Sequence, residues 1–151
     1  MTLHTIYETS AGGIVYSNKT GSREWLVIQH SKARHWGFPK GHVGDKIPNE
    51  KLEEAALREV DEEGGIRATI ISNTPFSTTY FFKHSETLHK KTVHYFLMAY
   101  VSGNVADHDT EVSQAIFLPA EEVVKKLTYD SDRTAFAKAL QIFKEREISK
   151  S

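Results

Sequence analysis

Three glutamates crowd the end of the segment 51–65: Glu59, Glu62 and Glu63. Placed at about 100° per residue on a helix, they continue the arc that carries Leu52, Ala55, Ala56 and Val60. Carboxylates on one arc repel each other, and at a helix C-terminus they also oppose the macrodipole. A frayed, solvated end would tolerate them, but the wheel turns them toward the apolar side. Buried anions require cations, and a set of oxygen donors suits a hard divalent ion such as Mg²⁺. The chemistry open to these side chains is therefore metal-assisted.

A helix must position them. Pro48 and Asn49 are expected to open it, with Asn49 as N-cap, and Gly64-Gly65 to stop it. Lys51, Glu54, Arg58 and Asp61 share the other face and read as a solvated stripe, Glu54 and Arg58 being at i,i+4.

Around this helix the chain reads as strands. Residues 8–16 and 24–30 form two strands joined by a turn containing Asn18 and Gly21. The run Ala11-Gly12-Gly13-Ile14-Val15 signals either a bulge or the close passage of another backbone or a ligand. Residues 31–40 read as a loop whose Trp36 and Phe38 are packing residues; Lys40, beside Gly41, reads either as a surface lysine or as a compact cation able to meet phosphate oxygens. Residues 67–75 and 77–83 read as strands and 84–91 as a polar loop. Residues 92–101 alternate two apolar faces, the pattern of a central strand covered on both sides. A loop (103–110), a short strand (115–118) and two helices (119–127 and 131–146) complete the chain, the last with a core stripe of Phe136, Leu140 and Phe143. A mixed sheet between helical layers is the expected α/β architecture.

The 151 residues suit one domain spanning 1–151. A net charge of −1 offers no polyanion-binding surface of nucleic-acid type. Without cysteine there are no disulfides or thiolate metal sites, as fits a reducing cytosol. The N-terminus lacks a basic region followed by an apolar run, and no apolar stretch reaches membrane-spanning length. The expected setting is cytoplasmic, with neither membrane nor DNA as partner.

Arg58-Glu59-Val60-Asp61-Glu62-Glu63-Gly64-Gly65-Ile66, with Glu50 eight positions before Arg58, resembles the box of the Nudix hydrolases, G-x5-E-x7-R-E-U-x-E-E-x-G-U. Gly44 meets the literal spacing. The sequence Phe38-Pro39-Lys40-Gly41-His42-Val43 is similar to the family's approach to the box, so Gly41 is taken as the equivalent, with about three extra residues in the loop 44–48. The resemblance implies an α/β/α sandwich with a central mixed sheet. It also implies hydrolysis of a nucleoside diphosphate linked to another moiety, with Mg²⁺ (Mn²⁺ substituting) held by Glu59, Glu62, Glu63 and the Gly41 carbonyl. Glu50 and Arg58 would shape the box through an ion pair, and a carboxylate free of metal would take the proton from water.

A second similarity concerns the substrate. His35-Trp36-Gly37-Phe38-Pro39-Lys40-Gly41, Lys91-Thr92-Val93-His94-Tyr95-Phe96-Leu97 and Glu111-Val112-Ser113-Gln114-Ala115-Ile116-Phe117-Leu118 resemble segments of the asymmetric dinucleoside-tetraphosphate hydrolases. By that resemblance His35, Lys40 and Lys91 contact the phosphate chain and Tyr80 or Tyr129 stacks on an adenine. Glu111 binds a further metal or helps place the water. The implied reaction is cleavage of diadenosine tetraphosphate to ATP and AMP by a monomer or homodimer. Alternatives are a pyrophosphatase for oxidised nucleoside triphosphates and an RNA 5′-end pyrophosphohydrolase. A non-catalytic nucleotide sensor is a further alternative, but such modules lose box glutamates, and every one is present here.

Overall fold

The computed structural model describes residues 4–150. In chain order the elements are β1 (His4–Ser17), β2 (Glu24–His30), β3 (Trp36–Gly37), β4 (Lys40–His42), α1 (Leu52–Gly64), β5 (Ile66–Ile70), β6 (Phe76–His84), β7 (Thr87–Gly103), β8 (Val112–Leu118), α2 (Ala120–Lys126) and α3 (Asp130–Ser149). A 3-10 turn at Val105–Asp107 precedes β8.

The alternation of β7 decides the layering. Val93, Tyr95 and Leu97 enter one core with Trp25, Val123 and Phe136, on the side of α2 and α3. Phe96 and Met98 point the other way, into a second core with Ala11, Leu26, Ala56 and Val60, on the side of α1. A strand feeding two cores must lie at the middle of a covered sheet, and the order β3-β2-β1-β7-β5 puts it there. β1 and β7 run parallel, from His4 opposite Thr87 to Tyr16 opposite Ala99. The other pairings are antiparallel: β4 adds to β1, β6 to β7 and β8 to β2. The expected sandwich of helical layers around a mixed sheet is the fold observed, and Phe136, Leu140 and Phe143 form the expected core stripe.

The glycines of β1 mark close packing, not a bulge: Gly12 admits a neighbouring backbone, and Gly13 admits the side chains of Val60 and Met98. β1 keeps its register with β7 through Gly12 and Gly13, and Gly13 N donates to Pro39 O at 3.1 Å. A Cβ on Gly12 would stand 2.2 Å from that same carbonyl oxygen. Gly12 thus lets the lead-in to α1 lie flat against the sheet.

Five local expectations are corrected. Asn49 is not the N-cap: it sits at φ 62, a left-handed conformation that Asn tolerates, and the cap position is Lys51, without a side-chain bond. The intervening Glu50 is drawn inward by Arg58, which delays the first turn. Arg58 itself leaves the solvated stripe, its side chain only 14% exposed and engaged by acids other than Glu54. The strand expected at 67–75 ends at Ile70, where the turn formers Ser72, Asn73 and Pro75 take over. The polar loop at 84–91 is instead a tight hairpin turn with Ser85 at φ 57, and β7 begins at Thr87. This end of the β6–β7 pair overhangs the core, so both faces are polar or mixed and no apolar period marks the strand. The loop expected at 31–40 holds the short β3, and Lys40 already belongs to β4. The C-terminal stop of α1 is as expected: Gly65 takes φ 73 and its amide donates to Asp61 O at 3.0 Å.

Candidate active site

α1 turns four charged side chains toward β4 and the loop before it. Glu50, with its side chain fully buried, receives Arg58 Nε at 2.7 Å and Arg58 Nη2 at 3.0 Å. Those bonds outweigh burial and hold the Glu50 carboxyl below its ordinary value, and they raise Arg58 further. Arg58 Nη1 reaches Glu59 Oε1 at 2.7 Å and Glu62 Oε2 at 3.3 Å. From the loop 44–48, Lys46 Nζ closes on Glu62 Oε2 at 2.7 Å. Two carboxylates therefore converge on one guanidinium nitrogen, with a lysine capping the outer one.

Glu63 faces a different way. Its Oε1 accepts from the Lys40 amide at 2.9 Å, and burial pushes its carboxyl up to about 8, an effect that this bond only partly offsets. Burial also raises Glu59, with Arg58 opposing. Gly41 supplies the room: a Cβ there would fall 2.2 Å from Glu59 Oε1, whereas a Cβ on Gly44 would meet nothing within 4 Å. Among the described residues, no three His, Cys, Asp or Glu side chains stand together as a ready ligand set.

The loop after β7 brings an acid that the sequence did not single out. Asp109 N donates to Glu62 O at 2.8 Å, and the Asp109 carboxyl is raised by burial, with Glu111 and Glu62 adding to the shift. Glu111 is exposed, its amide donating to Asp109 Oδ1 at 3.1 Å. Nothing in the spacing marks Asp109; Lys46 is marked only by the extra loop length that carries it.

Beside the acids, and separated from them by β4, opens a cavity of about 620 Å³. His35, Lys40, Lys91, Tyr80 and Tyr129 all line it, so the expected substrate residues are brought together. Burial, then the Lys40 charge, brings the Lys91 ammonium down to about 8. The His30 and His35 rings lie 4.2 Å apart between centres, tilted by 35°, and Tyr129 lies 5.5 Å from His35. Burial, His35 and the two lysines lower His30 to about 4, so it is neutral at pH 7. Tyr80 is pushed up to about 12, first by burial. Two further residues of the wall escaped the sequence reading. His30 ends an ordinary strand, and Asp132, buried and accepting from Tyr95 OH at 3.2 Å, looks in sequence like a first-turn helix acid. Phe38 and Trp36 pack as expected, Phe38 fully buried and Trp36 under Lys126 at 4.5 Å.

Lys40 joins the two halves. Its amide holds Glu63 among the acids, while the residue also lines the cavity that contains Lys91. A cluster of acids and a lysine-lined cavity thus share a single strand.

A NUDIX domain matches residues 7–139. The MutT4 protein of Mycobacterium tuberculosis is 33% identical over 137 residues, covering 87% of this chain and 54% of that protein. Nudix hydrolase 6 of Arabidopsis thaliana is 31% identical over 127 residues, covering 80% and 42%. The chain thus spans about half the length of these curated relatives. Among solved structures, a Caenorhabditis elegans Ap4A hydrolase binary complex superposes with a TM-score of 0.65 at 26% identity, covering 94% of this chain and 98% of that one. The NUDIX domain of Shewanella oneidensis NrtR complexed with ADP ribose gives 0.67 at 15% identity, covering 91% and 89%, a likeness of fold. With the glutamate helix, its Arg58–Glu50 pair and the sandwich around it in place, the match across 7–139 makes this chain a member of the Nudix family.

Proposed function

We propose that the chain is a divalent-metal-dependent hydrolase of nucleoside polyphosphates that cleaves diadenosine tetraphosphate to ATP and AMP by water attack on phosphorus. The observation that carries this reading is the shared strand: the acids and the cation-lined cavity meet at Lys40. A polyphosphate laid across β4 would have its charge matched on one side and its reacting phosphorus near the carboxylates on the other.

The donor set fits a hard dication in kind. Glu59, Glu62 and Glu63 offer only oxygens, Gly41 leaves space at the Glu59 carboxylate, and Glu59 and Glu62 already share a cation in Arg58. These three residues and the Gly41 carbonyl would hold Mg²⁺, or Mn²⁺ in its place. Bound there, the ion would neutralise phosphate charge and acidify water. Arg58 and Glu50 fix the carboxylates through their bidentate pair. His35, Lys40 and Lys91 bind the phosphate chain, and Tyr80 or Tyr129 stacks on the adenine. Whichever of these carboxylates the ion leaves free, or the exposed Glu111 nearby, accepts the water's proton at a carboxylate oxygen. Cytoplasmic residence and action as a monomer or homodimer belong to the same reading; among the described residues no helix is long and apolar enough to cross a membrane.

The test is a panel of dinucleoside polyphosphates, nucleoside triphosphates (oxidised ones included) and triphosphorylated RNA incubated with Mg²⁺ in isotopically labelled water. The expected result is fastest turnover of diadenosine tetraphosphate, with label in only one of the two products. Faster turnover of an oxidised triphosphate would move the assignment to pool cleansing, and faster release from triphosphorylated RNA to 5′-end processing. Glu62→Gln and Glu63→Gln should each lose turnover by orders of magnitude with the fold retained.

A further inference from the structure

A dinucleoside substrate has two bases, and the residues assigned so far hold one. A cavity of about 620 Å³ is the size that encloses a single small ligand. The far nucleoside of a tetraphosphate must therefore lie at the rim.

The rim carries an ordered aromatic stack. Phe82 and His89 face each other across the β6–β7 pair, ring centres 4.6 Å apart and planes within 9°. His89 is itself held: its Nδ1 lies 2.7 Å from Glu8 Oε1 on β1. Phe82 remains 40% exposed and lines the same cavity as Tyr80, whose ring centre is 6.3 Å away. One face of Phe82 is covered by a braced imidazole, leaving the rest of the ring to the cavity mouth. As a cross-strand pair alone, Phe82 and His89 would add only modestly to the stability of the hairpin. That accounts for neither the exposure of a phenyl ring on an edge strand, a liability proteins normally avoid, nor the anchoring of its partner from a third strand.

We propose that Phe82, stacked on the Glu8-braced His89, is a second base platform that holds the distal nucleoside of a dinucleoside polyphosphate. The inference rests on the nucleotide-hydrolase reading above. A π-face accepts any base, so the platform selects for a second nucleoside without selecting which one. Glu8 and His89 act as positioning residues that keep the ring in place.

The experiment compares calorimetric binding, without divalent ion, of diadenosine tetraphosphate and the terminal methyl ester of adenosine 5′-tetraphosphate, which carry the same phosphates and charge and differ by one nucleoside. The intact protein should bind the two-base ligand more tightly. Phe82→Leu, which keeps an apolar strand residue, should lose roughly tenfold toward that ligand and change little toward the one-base ligand. Phe82→Trp should restore the difference, and His89→Ala should show the same pattern with a smaller loss. Equal losses on both ligands, or none on either, would overturn the platform, as would an intact protein that binds the two equally. An intact protein that prefers the two-base ligand, loses that preference in Phe82→Leu, yet leaves it uncleaved with Mg²⁺ would sustain the platform and overturn the hydrolase reading alone.

Discussion

Arg58 grips Glu50 through two parallel hydrogen bonds, Nε to Oε2 at 2.7 Å and Nη2 to Oε1 at 3.0 Å, across eight residues of chain. The same guanidinium extends its third nitrogen to Glu59 and Glu62, so one side chain organises three acids.

Breaking that pair should be costly, because a buried partner is left behind. Glu50→Gln keeps the shape and removes the charge, and should destabilise the fold by about 3 kcal/mol. Urea denaturation measures it, and an unchanged midpoint would refute the structural role of the pair. The wild-type pair also has an acid limb. With the Glu50 carboxyl lowered in the folded state, its stabilisation is present above the ordinary value of 4.5 and is lost as pH falls through the lowered one.

Glu63 should give the opposite slope. Between 4.5 and about 8 the folded protein binds more protons at this carboxyl than the unfolded chain does, so stability falls as pH rises across that window. Metal-free melting from pH 5 to 8 should show a decline on the order of 3 kcal/mol, and Glu63→Gln should flatten it. A wild-type profile flat in EDTA would contradict the buried position of this acid.

Lys91 sets a limit on alkaline binding. Its ammonium titrates near 8 in the folded protein against 10.5 when unperturbed, so its charge fades as pH rises through 8. Nucleotide affinity should be steady below that point and fall above it. Lys91→Arg should remove the alkaline limb, since guanidinium stays charged. The same limb in both proteins would place the titrating group elsewhere.

Lys46 occupies the outer oxygen of Glu62 and must be displaced by any ion that takes it. Lys46→Ala should bind Mn²⁺ several-fold more tightly in a spectroscopic titration, a change of about 1 kcal/mol for an exposed pair. Lys51→Ala, an exposed lysine at the start of the same helix, serves as the charge control. Equal effects of the two substitutions would reduce the Lys46 contact to bulk electrostatics.

The sequence and the structure agree where one physical signal dominates. Two apolar faces in β7 placed it at the centre, and the inward arc of Glu59 and Glu63 survived as burial at 6% and 4% exposure. Disagreement arises where two signals compete. Asn49 looks like a cap, but the Arg58–Glu50 bond outranks a capping bond and shifts the helix start. Thr87–Lys91 has no apolar period because it overhangs the core, so only its pairing partners on β1 and β6 reveal it as a strand. Asp109 and Asp132 join the site through tertiary contacts with Glu62 and Tyr95, and no local pattern encodes either.

The parallel run of β1 beside β7 also has a kinetic side. Its rungs link residues such as Thr9 and Thr92, or Gly12 and Tyr95, that are separated by most of the chain. Loop-closure entropy must be met before such contacts reward it, which slows folding. During vector synthesis the first strand leaves the ribosome long before its neighbour exists, bearing the two glycines against which Pro39 will later settle. Lys91, carried on the late strand, and Lys40, docked on the early one, can meet only when that long loop closes, so the cavity they line should be among the last parts of the molecule to mature.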